Sequence, residues 1–369
     1  MSRPTYAEVD LEAIRQNLRA LKVLMGPGVK VLGVIKADGY GHGMVPVGQA
    51  LEEAGADMLG VALVEEGIEL RVAGITLPIL VMNILPANEV GAAMEYSLQT
   101  MIDDLRTARE IEDQAGRRDT VIQVHLKIDT GMNRLGIRSE DTASAAESLR
   151  EMKHLALAGV YTHLACADDE NDEVTRRQLA RFDEALRGLR AAGFQSPLLH
   201  VANSSALIAQ PSARFDMVRS GLALYGIRPC RAAARVNLRP ALALKSHVAH
   251  LKRVHRGEGV GYGHTWRAQR DSILGVLPIG YADGYPRSLS NRGQVRVAGR
   301  LVPVVGTVCM DATMVDLTDI ESPHVGQVAA LIEASHESPL SVEAVARLCG
   351  TIPYEILTGL SRRIPRLYR

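Results

Sequence analysis

Eight short apolar runs recur through the first two thirds of the chain, and the segments between them carry apolar residues at helical spacing. In 179–193, for example, Leu179, Phe182, Leu186 and Leu189 fall on one helical face. Strands that alternate with helices predict right-handed crossovers and a parallel sheet. Eight such units favour a closed (β/α)8 TIM barrel over an open doubly wound sheet, which would not need eight repeats. The predicted strands are Val29–Lys36, Met58–Leu63, Pro78–Met82, Ser97–Met101, Val121–Ile128, Leu155–His163, Leu198–Asn203 and Asp216–Gly226.

The pattern changes after Arg235, where apolar runs follow one another with glycine-rich turns and a single helical segment, Ser341–Gly350. We therefore predict a barrel domain over 1–235 and a C-terminal, mainly β domain over 236–369, with Val236–Lys245 as the linker. The runs of this second domain are Ser272–Gly284, Gln294–Leu317 and Gly326–Glu333.

The amino terminus adds one strand and one helix to this plan. Asp10 is a candidate N-cap for a helix that begins at Leu11. The strand-like Thr5–Asp10 comes too early to be the first barrel strand, so we expect residues 1–10 to pair with the second domain.

Composition excludes several classes of protein. The 369 residues carry 42 basic and 42 acidic side chains, so no net field attracts nucleic acid or a membrane surface. The four cysteines form no CxxC pair, which argues against structural zinc and a disulfide scaffold. The longest apolar stretch, 72–87, is interrupted by Gly74 and Pro78, and acidic residues precede any apolar run at the amino terminus. We expect a cytoplasmic protein.

Polar residues follow several predicted strands, and a TIM barrel builds its active site at that edge. A lysine there, partly removed from water, could act as an imine-forming amine. Each residue also has an ordinary explanation, as an exposed strand end, a loop charge, a hydrogen-bonded core histidine or a helix N-cap. Their convergence on one rim favours function. The set is Lys36, Arg134, His163, Ser204 and Arg219.

Two further features of this rim bear on ligand binding. Ser204 and Gly221 fall at predicted helix starts, where free backbone N–H groups would cradle a phosphate. Tyr40 lies between two glycines, in a loop that could bring a phenol to a bound ring, although glycines alone are a weak signal.

Eight segments, in order along both domains, resemble the motifs of the bacterial alanine racemases. The resemblance covers essentially the whole chain. The segments are VIKADGYGHG (34–43), KIDTGMNRLG (127–136), ANSSAL (202–207), MVRSGLALYG (217–226), GVGYGHTW (259–266), GYADGYPR (280–287), VGTVCMDATMVD (305–316) and IPYEILTGLSRRIPR (352–366).

The resemblance implies pyridoxal 5'-phosphate held by Lys36 as an imine, and interconversion of L-alanine and D-alanine by removal and return of the α-proton. Inversion needs one base on each face of the substrate. Lys36 would serve the D-side, and Tyr262 from the partner subunit would serve the other, so the active form would be a homodimer with shared sites.

Other roles follow from the same resemblance. Arg219 would face the pyridine nitrogen, and His163 would hold Arg219 in place. Arg134 and Met310 would contact the substrate, and Lys127 would be a possible site of carbamylation. The further cofactor contacts would be Tyr40, Asn203, Ser204, Gly221, Leu222 and Tyr354, with Tyr281 and Asp311 at the entrance.

Five alternatives stay open or are weighed against this interpretation. The substrate could be serine or a basic amino acid instead of alanine. The reaction could supply D-alanine for peptidoglycan precursors, or it could serve the breakdown of D-alanine. Arg219 and Tyr262 argue against a barrel-type decarboxylase, and the second domain argues against a non-catalytic cofactor carrier. A metal-dependent enzyme is suggested by His163, Cys166, Asp168 and Asp169, but their spacing suits no regular ligand set.

Overall fold

A computed structural model of the protein describes residues 3–169, 171–195 and 197–369. The chain divides into two compact units, which we call the barrel unit (15–39 and 44–238) and the β unit (1–14, 40–43 and 239–369). The strands, numbered along the chain, are β1 (Tyr6–Val9), β2 (Lys30–Val34), β3 (Met58–Val61), β4 (Ile79–Val81), β5 (Gln99–Ile102), β6 (Ile122–Asp129), β7 (Ile137–Arg138), β8 (Leu155–Tyr161), β9 (Leu198–His200), β10 (Met217–Ser220), β11 (Leu242–His247), β12 (His250–Val254), β13 (Gly259–Val260), β14 (Trp266–Arg267), β15 (Ser272–Leu277), β16 (Gln294–Val297), β17 (Arg300–Pro303), β18 (Thr313–Asp316), β19 (Val328–Ile332) and β20 (Arg366–Tyr368).

The helices alternate with the strands of the barrel unit, as predicted. Asp10 caps the first of them, because its Oδ1 accepts the Ala13 N–H at 2.8 Å, which confirms the predicted helix start. The apolar face predicted within 179–193 lies on the long helix Glu173–Ala191, where Phe182 and Leu186 are buried. The right-handed α-helices are Leu11–Met25, Met44–Glu53, Val64–Val72, Val90–Glu95, Leu105–Arg117, Thr142–Arg150, Glu173–Ala191, Ser204–Ala209, Val342–Cys349 and Pro353–Thr358.

The barrel unit contains a parallel sheet in the order β10-β2-β3-β4-β5-β6-β8-β9, with β7 paired to β6 outside this path. Two backbone hydrogen bonds close the circle between the β9 and β10 segments: Arg219 N–H donates to Ala202 O at 2.9 Å, and Asp216 N–H donates to Leu199 O at 3.1 Å. The predicted eight-stranded barrel is confirmed. The eighth strand is shorter than predicted, since β10 ends at Ser220 and Leu222–Tyr225 forms a 3-10 turn.

One half of the barrel interior is polar. Side chains alternate between the interior and the helix layer along each strand. The pairing of Lys127 with Tyr161, and of Tyr161 with His200, puts these side chains on the same face of the sheet. Along β6 the alternate positions 123, 125 and 127 share that face, so Gln123 and His125 follow Lys127 towards the amino-terminal end. Polar groups therefore run along the interior of the barrel.

The β unit contains a six-stranded sheet in the order β17-β16-β19-β11-β1-β20, a three-stranded sheet β12-β15-β18 and the pair β13-β14. β1 lies between β11, antiparallel, and β20, parallel. The last four residues of the predicted linker therefore belong to a strand, because β11 begins at Leu242. A second helix, Pro353–Thr358, was also not predicted: it has six residues, too few to show a helical period. No helix within the described residues is long and apolar enough to cross a membrane.

Candidate active site

Lys36 follows β2 directly, and the chain after it takes an unusual path. Ala37 and Asp38 have φ angles of 53° and 54°, in the left-handed region that residues other than glycine seldom adopt. Two hydrogen bonds hold this turn: Ala37 N–H donates to Glu66 Oε1 at 2.7 Å, and Met44 N–H donates to Asp38 Oδ1 at 3.0 Å. Strained backbone of this kind is common at functional sites, where it fixes the direction of a side chain.

The environment of Lys36 makes its amine easier to deprotonate than that of an ordinary lysine. The side chain keeps an open surface, but the surrounding protein removes enough water to lower its pKa, and the charge of Arg134 lowers it further. Glu66 opposes this effect. A lysine with a lowered pKa is the form of amine that can attack a carbonyl group or accept a proton near neutral pH.

Arg219 is a buried arginine held by acceptors that carry no charge. Its guanidinium donates to the carbonyl oxygens of His200, Thr162 and Val201 at 2.5, 2.7 and 3.0 Å. It also donates to Nδ1 of His200 at 3.1 Å and Nδ1 of His163 at 3.3 Å. Burial lowers its pKa to about 10, so it stays positive near neutral pH. Its Nε has no hydrogen-bond partner within the described ranges, which leaves one donor for a ligand.

His163 is kept neutral beside Arg219. Burial lowers its pKa to about 3, and the positive charges of Arg219, Arg134, Lys127 and Lys36 act in the same direction. Since Arg219 can only donate, the His163 Nδ1 must be the acceptor and the hydrogen must lie on Nε2.

A second lysine lies buried in the same unit. Lys127 lies 5.6 Å from the centroid of the Tyr161 ring, and burial with the charges of Arg134 and Arg219 lowers its pKa to about 8. Asp103 and Asp129 oppose this effect. Arg134 itself is exposed and makes no hydrogen bond to any residue that the structure describes, so its guanidinium is available to a ligand.

The segments around Ser204 and Gly221 form one hydrogen-bonded corner. Asn203, and not Ser204, caps the helix Ser204–Ala209: its Oδ1 accepts the Ala206 N–H at 3.0 Å. Ser204 Oγ is thereby free to accept the N–H groups of Gly221 at 2.9 Å and Ala223 at 3.3 Å. The expectation of a free N–H at Gly221 is therefore wrong.

Two other backbone donors remain at this corner. The N–H groups of Ser204 and Leu222 have no partner in the described part of the chain, and both residues are buried. A buried N–H without an acceptor costs free energy, and an anion such as a phosphate would remove that cost. The residues present therefore fit a phosphate-bearing cofactor.

The β unit brings Tyr40 and Tyr354 together, with ring centroids 5.7 Å apart. Tyr40 is buried, which raises the pKa of its phenol, and Tyr354 raises it further. Tyr40 is therefore protonated near neutral pH and can donate a hydrogen bond to an anion.

Among the large hydrophobic residues that the structure describes in the β unit, Tyr262 is the most exposed, with 74% of its surface open. It lies on the 3-10 turn Tyr262–His264 between β13 and β14. Thr307 donates from Oγ1 to the Tyr262 carbonyl at 3.0 Å and fixes this turn. Tyr262 is therefore a solvent-exposed phenol on a turn that is held by a side-chain hydrogen bond.

The segments 280–284 and 309–311 are locked to each other in the same unit. Tyr281 N–H donates to Cys309 O at 3.1 Å, and a Cβ atom on Gly280 would lie 2.1 Å from the same oxygen, so only glycine fits there. Met310 projects with half of its surface exposed. Asp311 forms an ion pair of 2.6 Å with Arg363.

Comparison with known proteins agrees with these features. The model of the alanine racemase N-terminal domain matches residues 9–229, and that of the alanine racemase C-terminal domain matches residues 241–368. The chain belongs to the alanine racemase family. Curated relatives include an alanine racemase of Symbiobacterium thermophilum, 43% identical over 99% of this chain and 97% of the relative. Another, from Halothermothrix orenii, is 39% identical over 100% of this chain and 98% of the relative.

Solved structures of alanine racemases have the same fold. One from Bacillus anthracis with bound L-Ala-P superposes with a TM-score of 0.94 at 35% identity, covering 100% of this chain and 96% of that one. One from Bartonella henselae with covalently bound pyridoxal phosphate gives 0.90 at 29% identity, covering 99% of both chains.

Three residues of this alanine racemase family member were not identified from the sequence. His125, Tyr161 and His200 are fully or nearly fully buried beside Arg219 or beside one another. A signal was present, because a histidine within the apolar runs 121–128 and 198–203 is unusual for a strand covered on both faces.

Proposed function

We propose that this protein is a pyridoxal-phosphate-dependent racemase that interconverts L-alanine and D-alanine. The observation that carries this proposal is Arg219, a buried cation whose bonded acceptors are all neutral. If Arg219 faced the pyridine nitrogen of the cofactor it could only donate, so that nitrogen would stay unprotonated and its pull on electrons would stay weak. A weak electron sink favours return of the proton over transamination or decarboxylation.

The bound cofactor would supply delocalisation of the electrons left when the α-proton is removed. Lys36, with its lowered pKa, would hold the cofactor and, once released, remove or return the proton on the D-side. The hydrogen-bonded turn after Lys36 would aim the Nζ atom at one face of the substrate.

The second proton acceptor is proposed to be Tyr262 of the partner subunit. The exposure of Tyr262 on its rigid turn supports this role. The functional unit is then a homodimer in which each site takes residues of the barrel unit from one subunit and Tyr262 from the other. The proposed domains are 1–235, carrying Lys36, and 236–369, carrying Tyr262.

Substrate binding is assigned to Arg134 and Met310. The free guanidinium of Arg134 suits a carboxylate, which it can hold with two parallel hydrogen bonds. Lys127 is a proposed site of carbamylation, since its lowered pKa leaves a larger fraction of the amine neutral, and able to react with carbon dioxide, than in an ordinary lysine. The resulting anion would attract Arg134, whereas the ammonium repels it.

The remaining contacts are assigned by their chemistry. Ser204, Leu222 and Tyr40 would donate to the phosphate, with Tyr354 beside Tyr40. Gly221 and Asn203 would shape the corner, because their own polar groups are engaged within the protein. Tyr281 and Asp311 would narrow the entrance towards a small side chain. We place the activity in the cytoplasm, as a source of D-alanine for peptidoglycan precursors.

One experiment tests the activity and its specificity. Purified protein with added pyridoxal phosphate is incubated in D2O with L-alanine, L-serine or L-lysine, and the D-isomer and deuterium at the α-carbon are measured. We expect rapid formation of deuterated D-alanine and little reaction with the others. Borohydride should attach the cofactor to Lys36 in the wild type and leave Lys36→Ala unlabelled. A product that has lost carbon dioxide would overturn the proposal.

A further inference from the structure

A continuous line of hydrogen bonds leads from Arg219 through the barrel interior. Arg219 is bonded to His200 Nδ1 at 3.1 Å, and His200 Nε2 lies 2.8 Å from His125 Nδ1. His125 Nε2 lies 2.7 Å from Gln99 Oε1, and the Gln99 amide donates to Gln123 Oε1. We call these five residues the interior chain. Both histidines are fully buried, and the chain crosses four strands, β10, β9, β6 and β5.

The direction of every bond in this chain is fixed by its first member. Arginine has no acceptor, so the His200 Nδ1 must accept and its hydrogen must lie on Nε2. That hydrogen is donated to His125 Nδ1, which places the His125 hydrogen on Nε2 as well. Gln99 then accepts through its carbonyl oxygen. Each hydrogen bond of the interior chain has one hydrogen only if both histidines are neutral and carry that hydrogen on Nε2.

The space for the His125 ring is built into the sheet. His125 on β6 pairs with Gly159 on β8, and a Cβ atom on Gly159 would lie 2.2 Å from His125 Nδ1. The backbone of Gly159 does not require glycine, since its φ is not positive. The ring of His200 is fixed in the same way by Tyr161, which stacks on it with centroids 4.7 Å apart and planes 8° apart. Both imidazoles are therefore held in place by packing.

We infer that Gln99, His125 and His200 are positioning residues: together they keep a neutral acceptor at His200 Nδ1 and so hold the orientation of the Arg219 guanidinium. This inference rests on the proposed function, because it gives Gln99 and His125 a part in setting the electronics of the cofactor without touching it. The interior chain requires both imidazoles to be neutral. A protonated imidazole has two N–H donors and no acceptor, so it would point an N–H group at Arg219 or at the other histidine.

The surroundings of His125 oppose its protonation. The charged or titratable groups beside its ring are His200 on β9 and Arg219 on β10. Tyr161 on β8 and Lys127 on β6 lie on the same face of the sheet. Burial lowers the pKa of His125 to about 4, and the charge of Arg219 contributes. Among the described residues no carboxylate bonds to any member of the interior chain, so nothing there stabilises an imidazolium.

Substitution of Gln99 can reverse the direction of the hydrogen bonds between His125, His200 and Arg219. It borders a cavity of about 220 Å³, shared with Gln123 and Met217, that can hydrate an introduced charge. Gln99→Glu keeps the shape and puts a carboxylate against His125 Nε2, which should raise the His125 pKa by about 2. The protonated ring would then force His200 to present Nδ1–H to Arg219. Gln99→Met removes the acceptor and leaves the direction of the other bonds unchanged.

Two measurements test the inference. In long-range 15N–1H spectra of the protein labelled at histidine, assigned with His125→Ala and His200→Ala, both rings should be neutral Nε2–H tautomers from pH 5.5 to 9, with or without cofactor. In Gln99→Glu the His125 signal should titrate near pH 6. Turnover of L-alanine by Gln99→Glu should then fall about tenfold below that pH and recover above it. Gln99→Met should lose no more than about threefold at any pH.

Controls separate this role from a structural one. Gln114→Glu introduces the same charge on the helix Leu105–Arg117, outside the interior chain, and should give wild-type pH profiles. An Nδ1–H tautomer or a charged ring in the wild type would overturn the inference. So would equal, pH-independent losses in Gln99→Glu and Gln99→Met. If Gln99→Glu does not fold, the wild-type spectra still test the inference, because they report the tautomers of His125 and His200 directly. Because these spectra need no turnover, a failure of the racemase proposal would be seen separately, in the deuterium experiment.

Discussion

Gly159 and His125 face each other across β8 and β6, and the imidazole of His125 occupies the place where a side chain at position 159 would be. Neither residue touches the rim of the barrel at Lys36, yet their packing decides where the ring that supports His200 lies. Packing in the barrel interior, away from the rim, therefore also helps to position the active site.

Gly159→Ala should displace His125 and cost about 1–3 kcal/mol of unfolding free energy, because the added methyl group has no space. Urea unfolding measures this cost. The double variant Gly159→Ala/His125→Ala should recover part of it, since the clash is removed. Additive effects in the double variant would show that the two residues do not compete for the same space.

Ser204→Ala should weaken binding of pyridoxal phosphate by about tenfold and lower stability by about 1–3 kcal/mol. The hydroxyl accepts the N–H groups of Gly221 and Ala223, and both would be left buried without an acceptor. Fluorescence titration of the apo-protein gives the affinity. Ser205→Ala is the matched control, because that hydroxyl bonds only the Pro229 carbonyl, at 3.2 Å. Equal effects of both variants would contradict the assigned corner.

Lys127→Met should stabilise the apo-protein at pH 7 by up to about 3 kcal/mol in buffer free of carbon dioxide. The folded-state pKa of Lys127 is lowered from 10.5 to about 8, so between these values the unfolded chain binds more protons and wild-type stability rises with pH. The advantage of Lys127→Met should therefore be full below pH 8 and absent above 10.5. Urea unfolding at pH 7 and pH 10.5 measures it; no gain at pH 7 would contradict a charged, uncarbamylated Lys127.

Asp283→Asn should destabilise the protein by about 2–3 kcal/mol. Asp283 is fully buried and pairs with Arg3 at 2.7 Å and Arg363 at 3.4 Å, and both arginines reach solvent and can be partly rehydrated. Asp311→Asn, which removes the exposed partner of Arg363, should cost less than about 1 kcal/mol. Thermal unfolding of the two variants compares them directly, and an equal loss would argue that burial does not govern this network.

Lys36→Ala and Tyr262→Phe should each be nearly inactive as separate preparations. After subunit exchange, a mixture should regain activity, because one site of each mixed dimer would combine an intact Lys36 with an intact Tyr262 of the partner subunit. Racemisation of L-alanine measures the recovery. Mixing either variant with itself is the control, and a mixture that gains nothing after confirmed exchange would contradict a shared site.

Much of the fold could be predicted because it depends on local patterns. The alternation of apolar runs with helical segments requires only neighbouring residues, and it indicated the eight strands and the cap at Asp10. Short elements were missed for the same reason. Pro353–Thr358 and the turn Leu222–Tyr225 are shorter than the window in which a period can be recognised.

Most of the rim residues could be predicted because they follow a strand, and strand ends of a barrel meet on one face. Arg219 lies inside β10. Ser204 shows the limit of such reasoning. Its type and position suggested a helix cap, but Asn203 caps the helix, and Ser204 bonds a segment 17 residues away. Only the three-dimensional arrangement could show which of two neighbouring polar side chains serves which backbone.

The sequence by itself determined the family, the eight barrel strands and the polar residues at their ends, because these depend on residue type and on spacing along the chain. The tertiary structure alone decided which polar residues of β5, β6, β9 and β10 form one hydrogen-bonded line. Register between strands and the direction of each side chain place Arg219 next to His200, and His200 next to His125. Because an arginine can only donate, that adjacency also fixes the proton on each imidazole.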